Sequence, residues 1–204
     1  MNRPTIDPHI KNIVFDFGGV LIDWNPHHLY DPYFGDTEKA SWFIQNVCTG
    51  EWNGQMDKGK PFAQGVAELS AKFPEWEKEI RLYHTDWIKM IGDEIPGMYD
   101  LECELKDRGY GIFGLTNWSC ETFCMVRHRR IFTILDGMVV SGEEHLLKPS
   151  PEIYRRLLER YSLRPEESLF IDDNMPNVIG ARNVGMRSEQ FRSAAQIRSL
   201  LGLV

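Results

Sequence analysis

The stretch "NIVFDFGGV", residues 12–20, decides the reading of this chain. A short apolar run, β-branched and aromatic, meets a carboxylate at Asp16 and then two glycines. Apolar residues at consecutive positions are the mark of a strand buried on both faces, the kind found in parallel sheets. The same grammar recurs in "YGIFGLTN" (110–117), "MVVSGE" (138–143) and "SLFIDDN" (168–174), with a weaker fifth copy in "MRSEQF" (186–191). Between these runs lie segments with helix signals. "PGMYDLECELKDRG" (96–109) opens on proline and closes on glycine. "SCETFCMVRHRR" (119–130) has a serine N-cap, and its "RHRR" reads as a cationic helix end. "SPEIYRRLLERYS" (150–162) spaces Ile153, Leu157, Leu158 and Tyr161 on one face. "NMPNVIGARNVG" (174–185) and "SAAQIRSLLG" (193–202) complete the series.

Strand and helix alternating from residue 96 onward predict a doubly wound parallel α/β sheet. Ligands in such sheets bind beyond the carboxyl ends of the strands. Asp16, Thr116, Asn117, Asp172 and Asp173 all fall at those ends. Residues 26–94 break the alternation with an aromatic-rich, helically spaced segment, so the division expected is 1–25 plus 95–204 for the α/β core and 26–94 for a small helical insertion. Within it, "TGEWNGQMDKGKPF" (49–62) reads as a loop between helices.

The 204 residues carry a formal charge of −7 and no long basic run, which argues against a nucleic-acid or anionic-membrane partner. No apolar targeting core or long uncharged stretch occurs, and the four cysteines form no Cys-x-x-Cys pair. Free thiols and a cytoplasmic protein, monomeric by default, are the expectation.

Three carboxylates at two strand ends cannot share a small space unpaired. They call for a raised pKa or a hard cation such as Mg²⁺, which takes oxygen ligands. Asp172-Asp173 alone could be a solvated strand end. Beside Asp16, Thr116 and Lys148 that reading loses its force. His27-His28 diverge on a helix and have no acid or cysteine spaced to join them as zinc ligands.

Four motifs, "DFGGV" (16–20), "LTN" (115–117), "LKPSPEIY" (147–154) and "FIDDN" (170–174), stand in an order that resembles the haloacid dehalogenase superfamily of hydrolases. The resemblance spans nearly the whole chain. It implies a Rossmann-like parallel sheet with a small α-helical cap inserted after the first strand. It implies a Mg²⁺-dependent phosphatase acting on a small phosphorylated metabolite, such as a sugar phosphate, through an aspartyl-phosphate. By resemblance, Asp16 is the nucleophile, Thr116 and the Asn117 backbone hold a phosphoryl oxygen, and Lys148 neutralises the nucleophile and the transferring group. Asp16, Asp173, the Gly18 carbonyl and, nearby or through water, Asp172 would hold the metal. Gly19, Trp24 and Trp118 adjoin the motifs and are expected to face substrate, and a loop at Ser141–Glu143 to border the site.

Gly18 departs from the commonest pattern, in which a second Asp serves as general acid and base. Asp23, in "VLIDW", is the nearest candidate substitute, with a turn or capping role as the alternative. Asn177 stands where many relatives carry another acid. Two rival readings remain at this stage. One is a metal-independent 2-haloacid dehalogenase, disfavoured by the "IDD" carboxylates and by the absence of Arg between Arg3 and Arg81. The other is a catalytically weak member kept as a binding module, supported only by Gly18.

Overall fold

The computed structural model describes residues 9–203. β1 (Asn12–Phe15) lies at the centre of a five-stranded, all-parallel sheet. β2 (Ile22–Trp24) and β3 (Ile91–Glu94) form a separate antiparallel pair. β4 (Gly111–Thr116), β5 (Gly137–Val140), β6 (Ser168–Asp172) and β7 (Arg187–Gln190) complete the main sheet in the order β5-β4-β1-β6-β7. The helices of the segment between β2 and β3 are α1 (His27–Phe34), α2 (Thr37–Asn46), α3 (Gly50–Asp57), α4 (Phe62–Lys72) and α5 (Glu77–Thr85). Those that follow are α6 (Met98–Asp107), α7 (Cys120–Phe123), α8 (Arg130–Thr133), α9 (Ser141–Glu144), α10 (Pro151–Arg160), α11 (Met175–Asn183) and α12 (Ala194–Leu200).

Alternation along β1 explains why the sheet is covered twice. Ile13 and Phe15 enter one buried cluster, with Leu101 and Leu105 of α6 and Ile197 of α12. Val14 enters the other, with Ile153 and Leu157 of α10 and Ala181 of α11. All of these side chains are fully buried, as a doubly wound sheet requires. The helical segment has its own aromatic core, in which Phe43 packs at a tilt against Tyr30 and Trp76 with centroids 4.9 and 5.3 Å apart.

Four expectations are corrected. Residues 49–62 are not a loop: Thr49 caps α3 by accepting from the Trp52 N–H at 3.1 Å, and Trp52 and Met56 bury one helical face. The glycines there punctuate nothing, since a side chain at Gly50 or Gly54 would meet only open space. Residues 119–130 are not one helix. A continuous helix would set Phe123 and Phe132 on opposite sides; the chain instead turns after α7, so both rings pack on Phe17, at 5.6 and 4.7 Å. "RHRR" therefore opens α8 rather than closing a helix, with Arg130 paired to Glu94 at 2.8 Å. The third strand stops at Val140, and Ser141–Glu144 turns into α9.

All four cysteines are free thiols; Cys48 is buried and Cys103 half-buried, but Cys120 and Cys124 are exposed rather than buried. No helix among the described residues is long and apolar enough to cross a membrane.

Glu102 on α6 is the one charged-type side chain in this core whose two carboxyl oxygens find no hydrogen-bond partner among the described residues. Burial, reinforced by Glu94 and opposed by Lys106, pushes it up to about 9. The folded state therefore holds a proton that the unfolded chain releases above the ordinary glutamate value. Stability from this group is full below that value and falls as pH rises toward about 9. Glu102→Leu is expected to raise stability at about pH 8 by roughly 2 kcal/mol and to flatten the alkaline decline, as read by thermal unfolding across pH.

Candidate active site

Asp16 follows β1 directly, and its backbone N–H still donates to the Ile171 carbonyl at 2.9 Å as if the strand continued. Parallel pairing with β4 and β6 sets Phe15 beside Gly114 and Ile171, so Asp16 comes level with Leu115, one residue before the end of β4, and with Asp172, the last residue of β6. The chain then turns tightly: the Phe17 carbonyl accepts from the N–H groups of Val20, Leu21 and Ile22 at 2.8–3.3 Å.

Lys148 is almost wholly buried in the middle of this arrangement. Its ammonium contacts Asp16 Oδ1 at 2.7 Å, Asp172 Oδ2 at 2.7 Å and the Leu115 carbonyl at 2.9 Å. Burial works against its charge, yet the two carboxylates prevail and hold the ammonium above its usual value. Burial, opposed by Lys148 and reinforced by Asp172, pushes the Asp16 carboxyl up to about 7. Asn117 fixes where Lys148 stands: its side chain donates to the Lys148 carbonyl at 3.0 Å and accepts from the Lys148 N–H at 2.8 Å.

Asp172 is fully enclosed. Besides Lys148 it accepts from the Asn174 N–H at 2.8 Å and from the Asn177 amide at 3.1 Å on each oxygen. Asn177 thus serves as an anchor for an acid, as an amide can. Asp173, by contrast, is exposed to the cavity and lies against Gly19. Burial, with the charge of Asp172 next, raises its pKa.

The two glycines do different jobs. Gly19 has φ of +75°, and a Cβ there would come within 2.5 Å of Asp173 Oδ2. Gly18 has no such constraint, and a Cβ would meet only the Trp24 Cβ at 3.7 Å.

These residues floor a cavity of about 340 Å³ that also touches Thr116, Asn117, Trp24, Trp87, Trp118 and, from α3, Asn53 and Asp57. Size does not single it out. A surface groove of about 510 Å³ beside Arg129 and Arg130 is larger, but there both arginines are already engaged, by the Gly92 carbonyl and by Glu94. What distinguishes the cavity is its chemistry.

Thr116, Gly18, Gly19, Trp24 and Trp118 all border it. Trp118 is held by its neighbours: its indole N–H donates to Thr122 at 3.1 Å and its ring packs among Phe17, Phe123 and Trp87. Ser141 borders the site indirectly, from a helical turn rather than a loop, by bonding the Trp118 N–H at 2.8 Å and the Asp57 carbonyl at 2.5 Å. Asp23 does not converge with the rest. It bonds His28 at 2.7 Å, is 45% exposed, and lines a separate groove with Gly92 and Pro96. Asn53 and Asp57 went unseen in the sequence, while Trp87, one of the aromatics of the helical segment, is a core side chain whose edge reaches the cavity. Asn53 and Asp57 sit one helical turn apart, a signal hidden by reading 49–62 as a loop.

One oxygen each from Asp16, Asp172 and Asp173 lies within 4.8 Å of the others. Three carboxylates against one ammonium leave two negative charges uncompensated, and the donors are all oxygen. That set fits a hard divalent cation.

A model of the haloacid dehalogenase-like hydrolases matches residues 10–185. The chain belongs to this family. Among curated relatives of this hydrolase, the sesquiterpene phosphatase astK of Aspergillus oryzae is 26% identical over 198 residues, covering 94% of this chain and 97% of its own length. The pyrophosphatase PpaX of Bacillus cereus is 23% identical over 188 residues, covering 88% and 82%. A magnesium complex of a HAD-family enzyme from Bacteroides thetaiotaomicron shares the fold, with a TM-score of 0.71 and 22% identity over 91% of this chain and 95% of that one.

The contrast between the glycines is testable in this hydrolase. Gly18→Ala should melt within about 1 kcal/mol of the parent, on the favourable side, because it only narrows the unfolded ensemble. Gly19→Ala should lose about 1–3 kcal/mol, since it adds a strained backbone to a collision with Asp173. Denaturant unfolding of the three proteins checks both.

Proposed function

We propose that the chain is a Mg²⁺-dependent phosphatase of small phosphomonoesters, acting through an aspartyl-phosphate on Asp16. The observation that carries this reading is the placement of the Asp16 carboxylate. It meets a buried ammonium at 2.7 Å, lies within 4.8 Å of two further carboxylates, and opens onto a cavity. A dehalogenase working without a metal would have to leave Asp173 unpaired beside Asp16 in that cavity.

Asp16 attacks phosphorus while the ester oxygen departs on the opposite side. The second Asp16 oxygen stays tied to Lys148, which keeps the nucleophile aimed. Thr116 and the backbone beyond β4 receive the equatorial oxygens. Water then attacks phosphorus in the aspartyl-phosphate, phosphate leaves, and Asp16 returns to the carboxylate. Splitting one displacement into two in this way is the advantage of a covalent nucleophile. A Mg²⁺ ion held by Asp16, Asp173 and the Gly18 carbonyl, with Asp172 behind them, would offset repulsion between the carboxylates and the anionic substrate.

The helical segment 26–94 serves as a cap. Its motion against the sheet admits substrate and then excludes water, which strengthens the charge interactions inside. Trp24, half-buried at the cavity wall, offers apolar surface to the carbon part of the substrate, with the edge of the buried Trp87 beside it. The ring face of a sugar phosphate suits it. The names of the curated relatives, a sesquiterpene phosphatase and a pyrophosphatase, support phosphate release and leave the leaving group open.

The test is hydrolysis of p-nitrophenyl phosphate by the parent and by Asp16→Asn, with Mg²⁺ and with EDTA. Turnover is expected only in the parent with Mg²⁺, falling by about 10³-fold or more in the variant. Turnover that survives Asp16→Asn, or chloride release from 2-chloropropionate in EDTA, would overturn the reading.

A further inference from the structure

The leaving alkoxide of an alkyl phosphate is a strong base and needs a proton as the bond to phosphorus breaks. Gly18, two residues past the nucleophile, has no side chain to supply it, and Asp23 lies outside the cavity. The other titratable groups on the cavity wall are committed. Asp16 is the nucleophile, Asp173 lies against Gly19 among the carboxylates, and Lys148 has all three ammonium protons engaged. One carboxyl is left.

We propose that Asp57, at the C-terminal end of α3, is the general acid and base of this enzyme. The inference rests on the phosphatase reading above. Asp57 protonates the ester oxygen as Asp16 forms its bond to phosphorus and the alcohol departs. The resulting Asp57 carboxylate then takes a proton from the water that attacks the aspartyl-phosphate. Inorganic phosphate leaves, and both residues return to their starting protonation states.

Four observations support the role. Asp57 lines the same cavity as Asp16, from α3 of the helical segment. Its carboxyl is oriented by its own helix, through the Asn53 amide at 2.9 Å on Oδ2. Its backbone is latched to the sheet domain, where the Ser141 hydroxyl donates to the Asp57 carbonyl at 2.5 Å and the same hydroxyl accepts from the Trp118 N–H. And burial pushes the carboxyl up to about 7, partly opposed by the Ser119 N–H, so near neutrality it is available both as acid and as base. Around it, Tyr83 on α5 is the titratable group that senses its charge, while Glu121 on α7 is spent on the Phe62 N–H and His84, and His145 beyond α9 on the Lys58 carbonyl. No cation among them holds Asp57 permanently ionised.

The consequence is that a catalytic proton donor sits on the segment that moves. When that segment swings away, Asp16 keeps its nucleophilic surroundings but the proton source leaves with α3. Commitment to chemistry then requires closure.

The experiment compares the parent and Asp57→Asn, both loaded with Mg²⁺, on p-nitrophenyl phosphate and on a primary alkyl phosphate. Nitrophenolate leaves without a proton and the alkoxide does not. The expected result is a loss of about 10²–10⁴-fold with the alkyl ester and a much smaller loss in the nitrophenolate burst. The burst also counts folded, reactive sites, so a misfolded variant is recognised by its missing amplitude, and Asp57→Glu then takes its place in the same comparison. Equal losses on the two substrates with a full burst, or no loss on either, would overturn the proposal. A parent with no metal-dependent turnover would instead overturn the phosphatase reading beneath it.

Discussion

One ammonium holds the site together. Lys148 has three protons and three partners: the carboxylate that follows β1, the carboxylate that ends β6 and a carbonyl of β4. Those are the three central strands of the sheet, joined at their carboxyl ends by a side chain that belongs to none of them. A buried charge is tolerable only when every donor is satisfied, and removing one partner of such a set is costly, on the order of 3–5 kcal/mol. The Asn117 clamp and the Asn177 anchor make sense in that light, because each fixes a member of the set from behind. The geometry of Asp16 is therefore decided by a network that reaches well beyond the "DFGGV" loop.

The strands that carry this network were legible in the chain because they are built from local pattern; the role of Lys148 came from the motif resemblance, and its pairing with Asp172 and the Asn117 side-chain clamp were not read. The apolar runs before Asp16, Thr116 and Asp172 are strands because they are buried on both faces, and burial on both faces writes itself into sequence as an unbroken run. What could not be read is what depends on distance. Asp57 reaches the cavity only because α3 is folded back over the sheet, and nothing within residues 49–62 announces that. The strands β2 and β3 are three and four residues long, too short for a period to declare itself. Asp23 looked well placed because it is near Asp16 in sequence, but β2 carries it away toward His28. Phe132 was lost to a helix period that the core around Phe17 overrides.

The cavity has two walls with different characters. The floor is polar and supplied by the strand ends, with Asp16, Thr116 and Asp173, and by Lys148 from the connection ahead of α10. The upper wall is supplied by helices and by tryptophans, and none of its side chains belongs to the Lys148 network below. Trp118 belongs to neither completely. It borders the cavity, yet its ring is packed into the aromatic cluster that supports Phe17, so it ties the cavity wall to the turn carrying the glycines.

The small pair β2–β3 has a further meaning for the history of such a chain. Trp24 is paired with Ile91 and Ile22 with Glu94, so the segment between them departs and returns at adjacent points. To the sheet, 25–90 is a loop whose ends are already together. Closing a longer loop costs only logarithmically more than closing a short one. The sheet is thus nearly indifferent to what is threaded between the two strands. New selectivity can be acquired by exchanging that passenger, while the nucleophile and the charge network around it are inherited from the sheet; a proton donor on α3 would have to be supplied again by the incoming segment.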